Sequence, residues 1–506
     1  MSDLAFATAT ELATLLERRQ LGEVELAQLF LGRLERLGPR YNAVAAVLRE
    51  RALDEARRAE RQRAQGRVRS RLHGLPYGAK DLLAARGAPT TWGAPPYRDQ
   101  VLDFDAAAVE RLQRAGALQA AKLAMVELAG GGGYRYPSAS LQGPGRNPWH
   151  PDYWAGGSSS GSGAAVAAGL VPLAIGSETS GSIITPAAYC GVTGLRPTYG
   201  RVSRYGAMAL SWTLDKLGPL ARSAADCALA LEALAGPDAR DPTCTGRRFR
   251  WQPLALAELR ALRLGYAPAD FDELAGEEAR PAFAAALAVL RGLGAPLVEA
   301  ALPTNLPYGA ITRTIIGAEG ATAFAGLIES EAFETLVDAK QKAGLRAGLQ
   351  ITARDYLEAM RLRTEVQHVF RRLFQEVDVL VSVGRPGPAT PVVEPLDSPA
   401  SAAAPAVLAG RPHSSALIPA GNLAGLPALC LPCGFATMAG GRNKARRQQS
   451  PPGSPHGGGP AAAPAQLPVA LQLVGRPFAE GVLLSLGDWF QRETAWHRQR
   501  PPERIT

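Results

Sequence analysis

The sequence predicts an α/β fold built on a mixed or parallel sheet. Three observations carry that expectation. Residues 74 to 236 alternate short apolar runs, punctuated by Gly, Pro and Ser, with Ala-rich helical pieces such as A-A-A-V-E-R-L-Q-R-A-G. Strand-like runs return towards the C-terminus in V-D-V-L-V-S-V, L-P-A-L-C-L-P-C-G-F and L-P-V-A-L-Q-L-V-G. At 506 residues, with 46% hydrophobic and 20% charged side chains, the chain has ample material for a large core.

Residues 1–72 read as a helical segment packing on that core. T-E-L-A-T-L-L-E-R opens with a Thr cap and a Glu soon after, and V-E-L-A-Q-L-F-L-G-R-L-E-R-L repeats its apolar residues at helical spacing. Residues 73–236 hold the α/β alternation. Residues 237–375 are mainly helical, with L-R-L-G-Y-A as a strand near their start, and suit a region on the substrate side of a site. Residues 376–506 return to strands and close on an amphipathic helix, A-E-G-V-L-L-S-L-G-D-W-F-Q-R. Within them, the Pro/Gly/Ala-rich stretch 436–466 has no composition for a packed core and is expected to be a disordered insertion between two strands.

Composition excludes several classes of protein. Five cysteines, an odd number, argue against a disulfide framework, and the C-x-x-C of Cys430 and Cys433 lies in an apolar run without a second pair or nearby histidines, so simple burial is expected and no metal. No uncharged apolar run reaches the roughly 18 to 20 residues that span a bilayer, and the N-terminus lacks a basic stretch followed by an apolar one. A cytoplasmic location and no membrane contact are therefore expected. The net charge of +9 would permit nucleic-acid contact, but the arginines are spread widely, so a solvated surface is the expectation. Only six of the 55 basic residues are lysines. A retained Lys is worth asking about, because Arg does not deprotonate and cannot act as a base.

The chemistry-bearing segments are H-G-L-P-Y-G-A-K-D-L-L (73–83), T-T-W-G-A (90–94), G-G-S-S-S-G-S-G-A-A-V-A-A-G (156–169) and G-S-E-T-S-G-S-I-I-T-P-A-A-Y-C-G-V-T-G-L-R-P-T-Y-G-R-V-S-R (176–204). Gly and Ser crowded beside apolar runs let the backbone approach a ligand and offer N–H groups to an anion or oxyanion. A phosphate loop fits poorly, since Ser162 and Gly163 stand where Lys and Ser/Thr are required. A G-x-S-x-G elbow matches formally at Gly157 to Gly161, but none of the six histidines sits in a supporting motif.

Taken jointly, the two Gly/Ser segments resemble the amidase signature family, with the likeness running from about Glu11 to Trp496 apart from the insertion. The resemblance implies a single large α/β domain, a central mixed β-sheet flanked by helices. It implies a Ser-cisSer-Lys triad: Lys80 as base, Ser158 as the bridging serine on a cis peptide, and Ser182, 24 residues further on, as nucleophile. The N–H groups of Thr179, Ser180, Gly181 and Ser182 match the family's oxyanion hole. Such a lysine works only when neutral, and burial among groups such as Leu75, Tyr77, Leu82 and Leu83 would lower its pKa.

The chain departs from the family in two places. Ser180 replaces a common Gly beside the nucleophile and Ile184 a common Arg, which favours less charged acyl groups. In the loop A-G-G-G-G-Y-R-Y (129–136), which lines the family's pocket, Gly131 and Gly132 would open space and Tyr134 would line it. Asp215, Lys216 and Arg196 read as structural ion pairs or loop anchors, and Ser159 and Ser160 as plain caps or fillers. The expected function is hydrolysis of an uncharged aryl or alkyl amide, a carbamate or an anilide, with no cofactor. The expected partners are a small-molecule amide substrate, no nucleic acid and no membrane, with a homodimer left open. The alternative is the glutamine-hydrolysing A subunit of a tRNA-dependent amidotransferase.

Overall fold

The computed structural model describes residues 3–396, 411–438 and 465–502. Thirteen strands occur among them. They are β1 (Val44–Val47), β2 (Pro76–Lys80), β3 (Leu118–Leu123), β4 (Arg146–Asn147), β5 (His150–Trp154), β6 (Leu173–Glu178) and β7 (Thr193–Arg196). The remainder are β8 (Lys216–Ala221), β9 (Leu264–Tyr266), β10 (Leu297–Glu299), β11 (Val379–Val383), β12 (Ala428–Met438) and β13 (Ala465–Gly475). Eleven of these form one sheet in the order β1-β3-β2-β6-β8-β7-β12-β13-β11-β9-β10, and β4 pairs with β5 alone.

The sheet is mixed. β2 runs parallel to both β3 and β6, and β9 parallel to β10 and β11, whereas β8, β7, β12 and β13 join antiparallel neighbours. Successive side chains of a strand point to opposite faces, and here both faces are buried. Leu173 and Ile175 of β6 belong to one apolar cluster while Ala174 belongs to another; in β12 Leu429 and Leu431 divide from Ala428 and Cys430 in the same way. Helices cover each face, which makes the whole a single domain around a large mixed sheet.

Several sequence-level expectations reappear in detail. Thr8 caps the helix Ala9–Glu17 with Glu11 closing a capping box, an arrangement worth about 1 kcal/mol. Cys430 and Cys433 are free thiols buried in different clusters, and burial pushes both thiol pKa values up.

Other expectations need correction. The first 72 residues are not helices alone: Val44–Val47 forms the edge strand β1 against β3. The insertion is shorter than 436–466, because Ala436 to Met438 continue β12 and pair with Leu467 to Ala465 at the start of β13; residues 439–464 lie outside the described residues. No helix among the described residues is long and apolar enough to cross a membrane.

Candidate active site

The site begins where two parallel strands end. The register pairs Ala79 of β2 with Ile175 of β6, so Lys80 and Ser177 emerge side by side at the C-terminal end of the sheet, the usual place for a ligand in an α/β fold. Lys80 is fully buried. Its Nζ donates to Ser158 Oγ at 2.7 Å and to Ser177 Oγ at 2.9 Å. Burial among apolar neighbours lowers its pKa to about 7, against the opposing pull of Asp215 and Glu178. A large fraction of the amine is therefore neutral near neutral pH.

Ser158 follows a cis peptide bond from Gly157, and its carbonyl accepts from Val126 N at 3.1 Å. The helix Ser160–Ala167 starts two residues later and is buried along its whole length. Only small residues fit there. A Cβ on Gly161 would stand 2.3 Å from the Ala43 carbonyl oxygen, and one on Gly163 would stand 2.9 Å from that of Pro186. A run that resembles a flexible linker by composition is thus a helix pressed between two other segments of backbone.

Ser182 sits in the turn between β6 and the helix Ile184–Cys190 and is 8% exposed. Thr179, Ser180 and Gly181 make up the turn ahead of it. Gly181 has φ of +89°, a left-handed conformation that favours glycine. Ser159 stitches the pieces together: its N–H donates to the Ser182 carbonyl at 3.3 Å, and its Oγ donates to the Ser177 carbonyl at 3.1 Å. It makes no side-chain cap, contrary to the expectation of a plain cap. The structure therefore brings Lys80, Ser158 and the Ser182 turn into one neighbourhood.

A buried acidic anchor stands behind that turn. One oxygen of Glu178 accepts from the N–H groups of Ile183 and Ile184, at 2.9 and 3.0 Å. The other accepts from Arg196 at 2.8 Å and from Asn422 at 2.8 Å. Burial alone would raise this carboxyl, but the Arg196 charge and these donors hold it at about 2. Asp215 accepts from Thr179 Oγ1 at 2.6 Å and from the Leu210 and Ser211 N–H groups. Lys216 is buried and donates to the Leu214 carbonyl. Sequence pattern assigns no role to Glu178, Asn422 or Ser177, because their partners lie far along the chain.

The loop residues fall in two places. Gly132 faces the helix Ala339–Gly348: a Cβ there would stand 2.5 Å from the Gln341 carbonyl oxygen, so that helix fills the space. Gly131 packs close to Leu210 and Phe324. Tyr134 turns the other way, with its hydroxyl against Gly157. A cavity of about 380 Å³ reaches the site at Ser177 and Thr179 between Leu82, Met208 and Leu217, a size that suits a small ligand.

Comparison with known proteins agrees with this arrangement. The family model described as Amidase matches residues 25–484, and the chain belongs to that family, a class of hydrolases acting on amide C–N bonds. The chain is 35% identical over 524 residues to the A subunit of the glutamyl-tRNA(Gln) amidotransferase of Chloroflexus aggregans, covering 99% of each. Among solved structures it resembles the native peptide amidase from Stenotrophomonas maltophilia, at 28% identity and a TM-score of 0.77 over 99% of both chains. It also resembles the A subunit of the glutamyl-tRNA(Gln) amidotransferase of Thermotoga maritima, at 25% identity and a TM-score of 0.70 over 96% of this chain and 95% of that one. These relatives correct the expected partners, a small amide with no nucleic acid and a homodimer left open: the A subunit of an enzyme named for a tRNA is one chain among others.

Proposed function

We propose that this chain is the glutamine-hydrolysing A subunit of a tRNA-dependent amidotransferase and breaks the amide C–N bond through an acyl-enzyme on Ser182. The observation that supports the chemistry is the buried contact between Lys80 Nζ and Ser158 Oγ, with the lysine pKa lowered to about 7. The names of the relatives support the assignment to a multi-subunit enzyme.

In the first half-reaction Ser182 Oγ attacks the amide carbonyl carbon. Its proton passes to Ser158 Oγ while the Ser158 proton passes to the neutral Lys80 amine. The backbone N–H groups from Thr179 to Ser182 receive the charge that develops on the carbonyl oxygen. Collapse of the tetrahedral intermediate breaks the C–N bond, and the proton held by Lys80 returns through Ser158 to the leaving nitrogen. Water then attacks the Ser182 ester by the same relay, releasing the acid and restoring the serine. Glu178 acts through the N–H groups of Ile183 and Ile184 and Asp215 through the Thr179 hydroxyl, holding the turn in place.

Affinity purification of the full chain from its own host, followed by mass spectrometry and an assay of ammonia release from glutamine, tests this reading. Stoichiometric partner chains together with glutamine hydrolysis that is lost in Ser182→Ala are the expected result. A chain that purifies alone and hydrolyses simple amides but not glutamine overturns it.

A further inference from the structure

The buried amine of Lys80 has two hydroxyl partners, and the proton relay uses one of them. Besides Ser158 Oγ at 2.7 Å, Nζ donates to Ser177 Oγ at 2.9 Å. Asp215, just ahead of β8, and Glu178 of β6 act on the Lys80 charge. Their carboxylates are taken up by other donors, Thr179 for the first and Arg196 and Asn422 for the second.

Ser177 is held in place independently of the lysine. It stands next to last in β6, paired with Leu217 of β8. One side chain grips both of its backbone groups: Ser159 Oγ accepts from Ser177 N at 3.3 Å and donates to the Ser177 carbonyl at 3.1 Å. The Ser177 side chain lines the cavity of about 380 Å³, whereas Lys80 is fully buried behind it.

The shape of an amine gives this second hydroxyl a task. A charged lysine carries three N–H groups and no acceptor, whereas the neutral form carries two N–H groups and one lone pair. To take the Ser158 proton, the neutral amine must turn its lone pair towards Ser158 Oγ, so its N–H groups need an acceptor elsewhere. We infer that Ser177 is a positioning residue for the base: its hydroxyl oxygen accepts an N–H of neutral Lys80 and thereby aims the amine lone pair at the Ser158 hydroxyl proton. Ser177 itself exchanges no proton and bonds to neither substrate nor nucleophile. The proton lost by Ser158 Oγ arrives on Lys80 Nζ and returns by the same path. The inference rests on the reading of Ser182, Ser158 and Lys80 as the reacting centre.

Threonine and valine have the same shape and differ by one hydroxyl, so substituting each at position 177 isolates that group. The full chain, with any copurifying partners, is followed by the rate of fluorophosphonate labelling of Ser182 and by ammonia release from glutamine, both across pH. In Ser177→Val the labelling rate and kcat fall about tenfold or more while KM stays within about twofold, because the lost contact serves the transition state and not substrate binding. The acid limb of both profiles moves to lower pH, since a charged amine is the stronger donor and loses more with its acceptor. Ser177→Thr keeps the rates within about threefold of wild type and leaves the limb in place. Should the valine variant not fold, Ser177→Ala set against Ser177→Thr gives the same comparison with a smaller loss, as water from the cavity takes part of the hydroxyl's place.

Wild-type rates in Ser177→Val, an equal loss in Ser177→Thr, or a loss that leaves the acid limb where it was overturns the positioning role. Labelling separates that failure from a failure of the reacting centre. A wild type labelled on Ser182 at a rate indifferent to residue 177 keeps the nucleophile and removes the positioning role. A wild type that takes no label on Ser182 removes the reacting centre, and this inference with it.

Discussion

Lys80 Nζ lies 2.7 Å from Ser158 Oγ, and its two hydrogen-bond partners are hydroxyl groups, not carboxylates. A lysine so placed is a base only when neutral. Because burial lowers its pKa to about 7, the protonated form dominates below that value and cannot accept the serine proton. kcat/KM for amide hydrolysis should therefore fall tenfold per pH unit on the acid side and level off above about 7. Ammonia release followed across pH checks this. Lys80→Met should lower the rate by roughly 10² to 10⁴ and abolish that acid limb; a limb that persists in the variant would assign it to another group.

Ser182 and Ser158 are separable by chemistry. Intact-protein mass spectrometry after fluorophosphonate treatment should show one adduct in the wild type, none in Ser182→Ala, and a slowly formed one in Ser158→Ala, since the relay assists the nucleophile without bonding to the probe. An adduct of wild-type extent in Ser182→Ala would remove that residue as nucleophile.

Glu178 ties the nucleophile turn to β7 and to the helix Leu417–Leu423. Glu178→Gln leaves Arg196 without its buried counter-charge and should cost about 3 to 5 kcal/mol of stability. Its carboxyl is held at about 2, below its ordinary 4.5, so its contribution is present above pH 4.5 and is lost as pH falls through about 2. Urea unfolding should accordingly separate wild type from variant at neutral pH and bring them together in acid. A constant gap at every pH would contradict the linkage.

Next to Lys80 in sequence, Asp81 meets Lys122 at 2.8 Å with both side chains buried, and Thr91 N donates to the same carboxylate at 3.0 Å. Removing one partner strands the other. Lys122→Met or Asp81→Asn alone should cost about 3 to 5 kcal/mol, and the double variant less than the two singles together. Simple additivity in denaturant unfolding would show that the pair does not couple.

Much of the fold was legible because local pattern carried it. The apolar runs of β6, β11, β12 and β13 are buried strands, and Thr8 with Glu11 marks a helix start. β1 and β10 escaped notice because V-A-A-V and L-V-E are short and only partly covered at the sheet's edges, where burial leaves no clear period. Glu178 drew no role from the sequence, and its partner Asn422 is 244 residues away. No local periodicity reports such a distance.

By itself the sequence determined which residues are available for chemistry: a lysine kept where arginine is the habit, and serines and glycines at the spacing of a known family. Only the tertiary structure decided what those residues can do. The parallel register of β2 and β6 takes Lys80 out of water and sets it against Ser158 and Ser177. Burial and the company of distant charges set the protonation of that lysine, and both are properties of the folded chain.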